Sequence, residues 1–141
     1  MASGPLNVKF VATDGLVWQG DALSVLVRTV EGDIGILAGH EPLMAVLVPH
    51  GAEVVTADGV RHVIAIDSGF LSVFANDVSV RSAFGELAEE ISVDEARVEL
   101  AALHAKVQAA EADEREIRQY RKLQSQVKAG EKYHELIKRN P

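Results

Sequence analysis

The chain predicts an α+β protein in which an N-terminal antiparallel β-sandwich of about eight to ten strands is followed by a C-terminal two-helix antiparallel hairpin. Three observations predict it. Up to Phe84-Gly85, short Val-rich segments recur between Gly, Asp and Asn turn signals, the rhythm of a sandwich or barrel. Beyond that point the sequence is rich in Ala, Glu, Lys and Arg, with no Pro before Pro141, a composition that favours helix. The charge changes with the pattern. Residues 1–85 carry four basic and nine acidic side chains (net −5), residues 86–114 two and nine (net −7), and residues 115–141 eight and three (net +5). A β unit over 1–85 and a helical unit over 86–141 are therefore expected. Adjacent helices of opposite sign can hold each other, or be drawn apart by another charged surface.

Strands are expected at residues 7–12, 22–29, 53–56, 60–66, 70–74 and 78–82. Alternation in Val8/Phe10/Ala12, Leu23/Val25/Val27 and Val78/Val80 puts one face of each strand inward and the other in water. Asp58-Gly59 is a two-residue hairpin signal of the type I′ kind, and Asn76-Asp77 a weaker one.

Residues 31–43 hold the densest punctuation in the chain. The glycines there do not form a phosphate cradle, because no Gly-Lys-Ser/Thr follows and no helix pattern opens behind them. They are expected to serve a tight turn and a short strand. The five histidines, at 40, 50, 62, 104 and 134, show no metal-ligand spacing, and His40-Glu41 lacks the second His that a zinc helix requires. The chain has no Cys, which removes disulfides and thiolate chemistry. A net charge of −7 argues against nucleic acid as a partner. No apolar run reaches the length of a membrane span, and Met1 to Pro5 lack the basic and apolar regions of a leader, so the chain reads as soluble.

Ser92-Val93-Asp94-Glu95 has the form of a capping box and predicts a helix start. Ala96, Leu100, Leu103, Val107 and Ala110 then line one narrow apolar seam. Asp113 to Glu116 signal a second start, followed by a seam of Ile117, Tyr120, Leu123 and Val127, with a hinge over 109–112. Several seam residues are Ala, so the hairpin is expected to be held by only a few kcal/mol before ordering entropy is subtracted. With neither Gly nor Pro in the hinge, the same residues are also compatible with one nearly continuous rod about 70 Å long.

The stretch Glu31-Gly32-Asp33-Ile34-Gly35-Ile36-Leu37-Ala38-Gly39-His40-Glu41-Pro42-Leu43, the segment Asp67-Ser68-Gly69-Phe70-Leu71 and the helix opening Asp94-Glu95-Ala96-Arg97 resemble the epsilon-subunit family of the rotary F-type ATP synthase. The resemblance covers nearly the whole chain, with Ala38 standing where the family usually has Pro. It implies a bacterial, non-catalytic central-stalk and rotor subunit on the cytoplasmic face of the cell membrane, peripheral to it. The implied partners are the gamma subunit, the membrane rotor ring and the catalytic alpha/beta subunits. Glu31, His40, Glu41 and Pro42 are implied as ring contacts. Arg115, Arg118, Arg121, Lys122, Lys128 and Lys132 are implied as the contacts of an inhibitory arm that extends into the catalytic head and blocks ATP hydrolysis. Some members bind ATP on the folded hairpin. Of their motif only Asp94 and Arg97 carry over, with His104 where a further Arg stands and a loose match at Arg118 and Arg121, so weak or no regulatory ATP is expected.

Two other readings compete. An acid/base or metal enzyme would use His40, Glu41, His62 and Asp67. A free-standing sandwich adaptor would bind partners through a coiled-coil tail and self-associate through the seam from Ala96 to Val107.

Overall fold

The computed structural model describes residues 4–139, so the first three residues of the expected β unit and the last two of the helical unit lie outside it. In chain order the elements are β1 (Leu6–Ala12), β2 (Gly15–Thr29), β3 (Gly32–Leu37), β4 (Leu43–Leu47), β5 (His50–Thr56), β6 (Arg61–Ile66), β7 (Gly69–Phe74), β8 (Asp77–Ser82) and β9 (Gly85–Leu87). A 3-10 turn (Ala88–Glu90) leads to α1 (Val93–Gln108) and α2 (Glu114–Arg139).

The strands run β1-β8-β7-β4-β2-β5-β6-β9, with β3 added to β2 and β1 also pairing β2. That last pairing folds the sheet over on itself. All pairings are antiparallel except β1 with β8. Inward residues close one apolar core, in which Phe10, Leu6, Ile36, Leu47, Ile64, Ile66 and Leu71 are fully buried. No helical residue belongs to this core, so the sandwich is complete without the hairpin.

Local chemistry corrects three details. Leu23 was expected inward, yet it is exposed, because a register shift between Ala22 and Ser24 takes it out of the alternation while Val25 and Val27 remain buried. The type I′ turn is made by Ala75 and Asn76, at φ 49° and 68°, and not by Asp58-Gly59, where Gly59 alone has positive φ. Ser92 does stand at the N-cap of α1 with extended backbone, but its hydroxyl makes no capping bond. Ser92 and Glu95 are exposed, so water can satisfy the free amides, and burial of Val93 and Ala96 fixes where the helix begins. The reciprocal box forms instead on α2. There the Glu116 amide donates to the Asp113 carboxylate at 2.8 Å and the Asp113 amide donates to Glu116 at 3.2 Å.

The helices form the expected antiparallel hairpin. Ala96, Leu123 and Val127 are buried in the seam, flanked by Leu100 and Leu103. α2 also lies on the sheet. Ala129 is fully buried against Val63, Ala65 and Ala88, with Phe84, Ile91, Tyr133 and Leu136 around them. The approach is close enough that a Cβ on Gly51 would fall 2.6 Å from the Ala129 Cα, and between the helices one on Gly130 would fall 2.1 Å from a methyl of Val93 on α1. Small residues on both sides let the helix backbone reach the strand, and they keep the apolar area gained modest.

Candidate functional site

Two surfaces stand out, an apolar one on β4 and β7 and the one where α2 meets β5 and β6. The first is apolar. Val46 on β4 stands opposite Phe70 on β7, the Val30 amide donates to the Val46 carbonyl at 3.0 Å, and Met44 and Phe74 continue the same flank. These side chains are 46–76% exposed. Alternation explains the pattern, since Leu47, Leu71 and Val73 take the inward positions. A shallow cleft of about 400 Å³ lined by Val30, Glu31, Met44, Val46 and Phe70 runs through it.

Glu31 sits at the edge of this flank in the exposed turn between β2 and β3, where its amide donates to Thr29 Oγ1 at 3.1 Å. His40, Glu41 and Pro42 lie in the loop between β3 and β4, with His40 Nδ1 against the Glu41 carbonyl at 2.7 Å. The stretch 31–43 is therefore a turn, a strand and a loop. Its two ends are separated by the length of β3, about 20 Å. The Gly39 amide donates to Asn76 Oδ1 at 2.8 Å, which ties this loop to the turn between β7 and β8.

The second surface is the contact between α2 and the sandwich, and it holds four of the six cations assigned to an inhibitory arm. Lys132 Nζ donates to the Gly51 carbonyl at 2.8 Å and stands 3.2 Å from Glu53. Lys128 Nζ reaches the Pro49 carbonyl at 3.4 Å. Lys122 lies over the Phe84 ring, 4.9 Å from its centroid. Arg121 Nε is 3.8 Å from Asp67 Oδ1, shut off from water and without a hydrogen-bond partner. Arg115 and Arg118 are exposed and make no ion pair among the described residues. Gln126, which charge-reading passes over, donates to Glu86 at 2.9 Å.

The two helices are laced across by Arg97 with Glu131 at 2.8 Å, Lys106 with Glu116 at 2.5 Å and His104 with the Tyr120 hydroxyl at 2.7 Å. The Lys106 ammonium holds the Glu116 carboxyl below its ordinary value. Such exposed pairs each contribute about 0–1 kcal/mol.

The hairpin donors do not suit a polyphosphate. Arg97 is taken by Glu131 and by Asp94 at 3.5 Å. The cleft of about 300 Å³ between the helices and the sandwich is lined by Glu86, Glu90, Glu95 and Glu99 against one Lys122. The histidines named for an enzyme are engaged separately. His62 packs on Trp18 with ring centroids 5.4 Å apart, and Asp67 accepts from the Ser68 amide at 2.6 Å. No group of three or more potential metal ligands occurs among the described residues.

The family model for the ATP synthase delta/epsilon chain β-sandwich domain matches residues 5–88. The chain belongs to the ATP synthase epsilon chain family. The family's members are non-catalytic subunits of that complex. The ATP synthase epsilon chain of Cutibacterium acnes is 45% identical over 114 residues, covering 79% of this chain and 77% of that one. That of Rhodococcus opacus is 42% identical over 97 residues, covering 68% and 80%. Among solved structures, a chain of the Euglena gracilis mitochondrial ATP synthase OSCP/F1/c-ring assembly superposes with a TM-score of 0.75 at 24% identity, over 97% of this chain and 84% of that one. A chain of the Tetrahymena thermophila mitochondrial central stalk and c-ring superposes with a TM-score of 0.53 at 14% identity, over 64% and 72%. No helix among the described residues is long and apolar enough to cross a membrane.

The turn joining the helices is set by one residue in the left-handed region. Ala110 holds φ 56°, with the Ala110 amide bonded to the Val107 carbonyl and the Glu111 amide to the Lys106 carbonyl. This is a Schellman cap with Ala where Gly is usual. Ala in the left-handed region costs about 1 kcal/mol, whereas in a continuous helix it would be favoured over Gly by about 1 kcal/mol. Ala110→Gly should therefore favour the bent hairpin over a straight helix by about 2 kcal/mol, seen as fewer molecules in which spin labels at Val98 and Glu135 stand about 55 Å apart, the straight-helix separation.

Proposed function

We propose that the sandwich couples the gamma subunit to the membrane rotor ring and that the hairpin is an arm that restrains ATP hydrolysis when it leaves the sandwich. The observation that carries the reading is the uncovered apolar flank of Val30, Met44, Val46, Phe70 and Phe74 beside Glu31. A patch of this kind on a small protein is a docking surface. It lies on β4 and β7, while α2 occupies β5 and β6, so stalk attachment does not compete with the docked hairpin. Glu31 at one end of the flank and His40 to Pro42 at the other are the ring contacts in this reading. The inhibitory contacts are Arg115, Arg118, Arg121, Lys122, Lys128 and Lys132, meeting acidic segments of the alpha/beta subunits. Arg97 ties α1 to α2 through Glu131, Asp94 pairs with Arg97 on α1 itself, and neither takes a nucleotide. The subunit works peripherally, on the cytoplasmic face of the cell membrane.

The test is ATP hydrolysis by the catalytic head with gamma, reconstituted with the full chain or with one ending at Ile91. Higher turnover with the shortened chain is expected. Equal turnover, with both chains bound to gamma, would remove the inhibitory arm from the function and leave the platform.

A further inference from the structure

Helix α2 turns four of its eight cations toward the sandwich, and two carboxylates there receive Lys132 and Arg121. Glu53 is 9% exposed and Asp67 3% exposed; they stand 3.2 Å from Lys132 and 3.8 Å from Arg121. We propose that Glu53 and Asp67 form an internal anionic surface that competes with an acidic surface of a partner protein for the same cationic face of α2, and so set how readily the arm leaves the sandwich. This rests on the inhibitory reading above and specifies its regulation.

Two features make the contact suited to exchange. Each carboxylate keeps a partner when the helix departs: Glu53 has Arg61 at 3.5 Å, and Asp67 has the Ser68 amide at 2.6 Å. Departure therefore leaves no bare buried charge, the condition that makes broken ion pairs costly. On the helix side, the docked state leaves Arg121 Nε buried with no hydrogen bond. Docking thus forgoes a bond that a carboxylate in better register would supply. The occupant follows from charge complementarity. Arg115 and Arg118 lie on the same helix and already face water, so an acidic protein segment could meet them first and then draw Arg121 and Lys132 from the sandwich.

Glu53→Gln and Asp67→Asn test this, because both lie on the sandwich, remove the internal carboxylate charge and leave every α2 side chain in place. Each should speed amide exchange of residues 121–133 in the full chain by about two- to fivefold, the weight of a partly exposed ion pair. Each should also lower ATP hydrolysis by the head carrying gamma and the full chain by a similar factor. The chain ending at Ile91 is the reference. If removing the helices raises hydrolysis but neither variant loosens α2 or deepens inhibition, the competition is refuted while the inhibitory arm stands. If removing the helices changes nothing, the inhibitory reading falls and takes the competition with it. Unchanged exchange in β1 and β8 shows the sandwich intact. Should Asp67→Asn fail to fold, Glu53→Gln decides alone.

Discussion

Gly51→Val should separate α2 from the sheet while the sandwich stays folded. Gly51 lies within β5 and pairs with Ala65, so a valine suits the strand backbone. The nearest atoms to its new Cβ all belong to Ala129, with the Cα at 2.6 Å, the Cβ at 3.0 Å and the amide nitrogen at 3.3 Å. Two of these are backbone atoms of a helix, which no rotamer change can move. The helix must lift as a body, giving up the packing of Ala129, Tyr133 and Leu136 and the bond from Lys132 to the Gly51 carbonyl. Overpacking of this order costs about 1–3 kcal/mol, enough to shift the docked fraction by roughly 5- to 150-fold. Amide exchange should rise through 121–139 and stay unchanged in β1, β7 and β8. In the reconstituted enzyme, hydrolysis should fall as the freed arm engages. Undisturbed exchange in α2 would show that the sheet yields in place of the helix.

The Gly51 contact also shows what the sequence left unread. Regular strands and the seam of α1 were legible because burial there follows a simple period. Val8, Phe10 and Ala12 alternate, and Ala96, Leu100 and Leu103 recur at helical spacing. The docking face of α2 obeys the same period through Ala129, Tyr133 and Leu136, at spacings of four and three, but its central residue is an alanine and the partner is a glycine, and neither carries a hydrophobic signal. The parallel pairing of β1 with β8 joins segments nearly the whole sandwich apart, which no local pattern encodes. The cations of α2 were visible as a charge run, yet a run does not say which members face inward. Arg121, Lys122, Lys128 and Lys132 fall on the sandwich side only because Leu123, Val127 and Ala129 fix the rotation of the helix. For the same reason, two capping boxes that look alike in sequence, Ser92 to Glu95 and Asp113 to Glu116, behave differently: the one at Asp113 closes at a free helix start, while packing of Val93 sets the start at Ser92.

Acidification should destabilise the protein between pH 6.5 and about 4 through His50. The ring is buried at the head of β5, where Nε2 accepts from the Arg28 amide at 2.9 Å and Nδ1 lies 2.6 Å from the Val48 carbonyl. A neutral ring satisfies both contacts, donating at Nδ1 and accepting at Nε2. A protonated ring would set an N–H against the Arg28 amide. Burial is the main cause that pushes the His50 pKa down to about 4, and Lys132 and Arg28 lower it further, against the Val48 carbonyl and Asp33, which raise it. Lys128 lines the same cavity. The folded state thus keeps His50 neutral, while the unfolded chain takes up a proton near 6.5. The stabilisation, about 3 kcal/mol, is complete above pH 6.5 and is lost as pH falls toward 4. Asp33, held below its ordinary value mainly by its bond from Arg28, acts in a separate window below about 3.9, so the two do not overlap. Urea unfolding at pH 7 and pH 4.5 should show most of this loss in the natural chain and much less in His50→Gln, which keeps an acceptor without a proton site. An equal loss in both proteins would assign the acid sensitivity to the carboxylates instead. Because the His50 cavity is roofed by Lys128 and Lys132, the first region to loosen should be the α2 contact, with exchange there rising at a higher pH than exchange in β1 and β8.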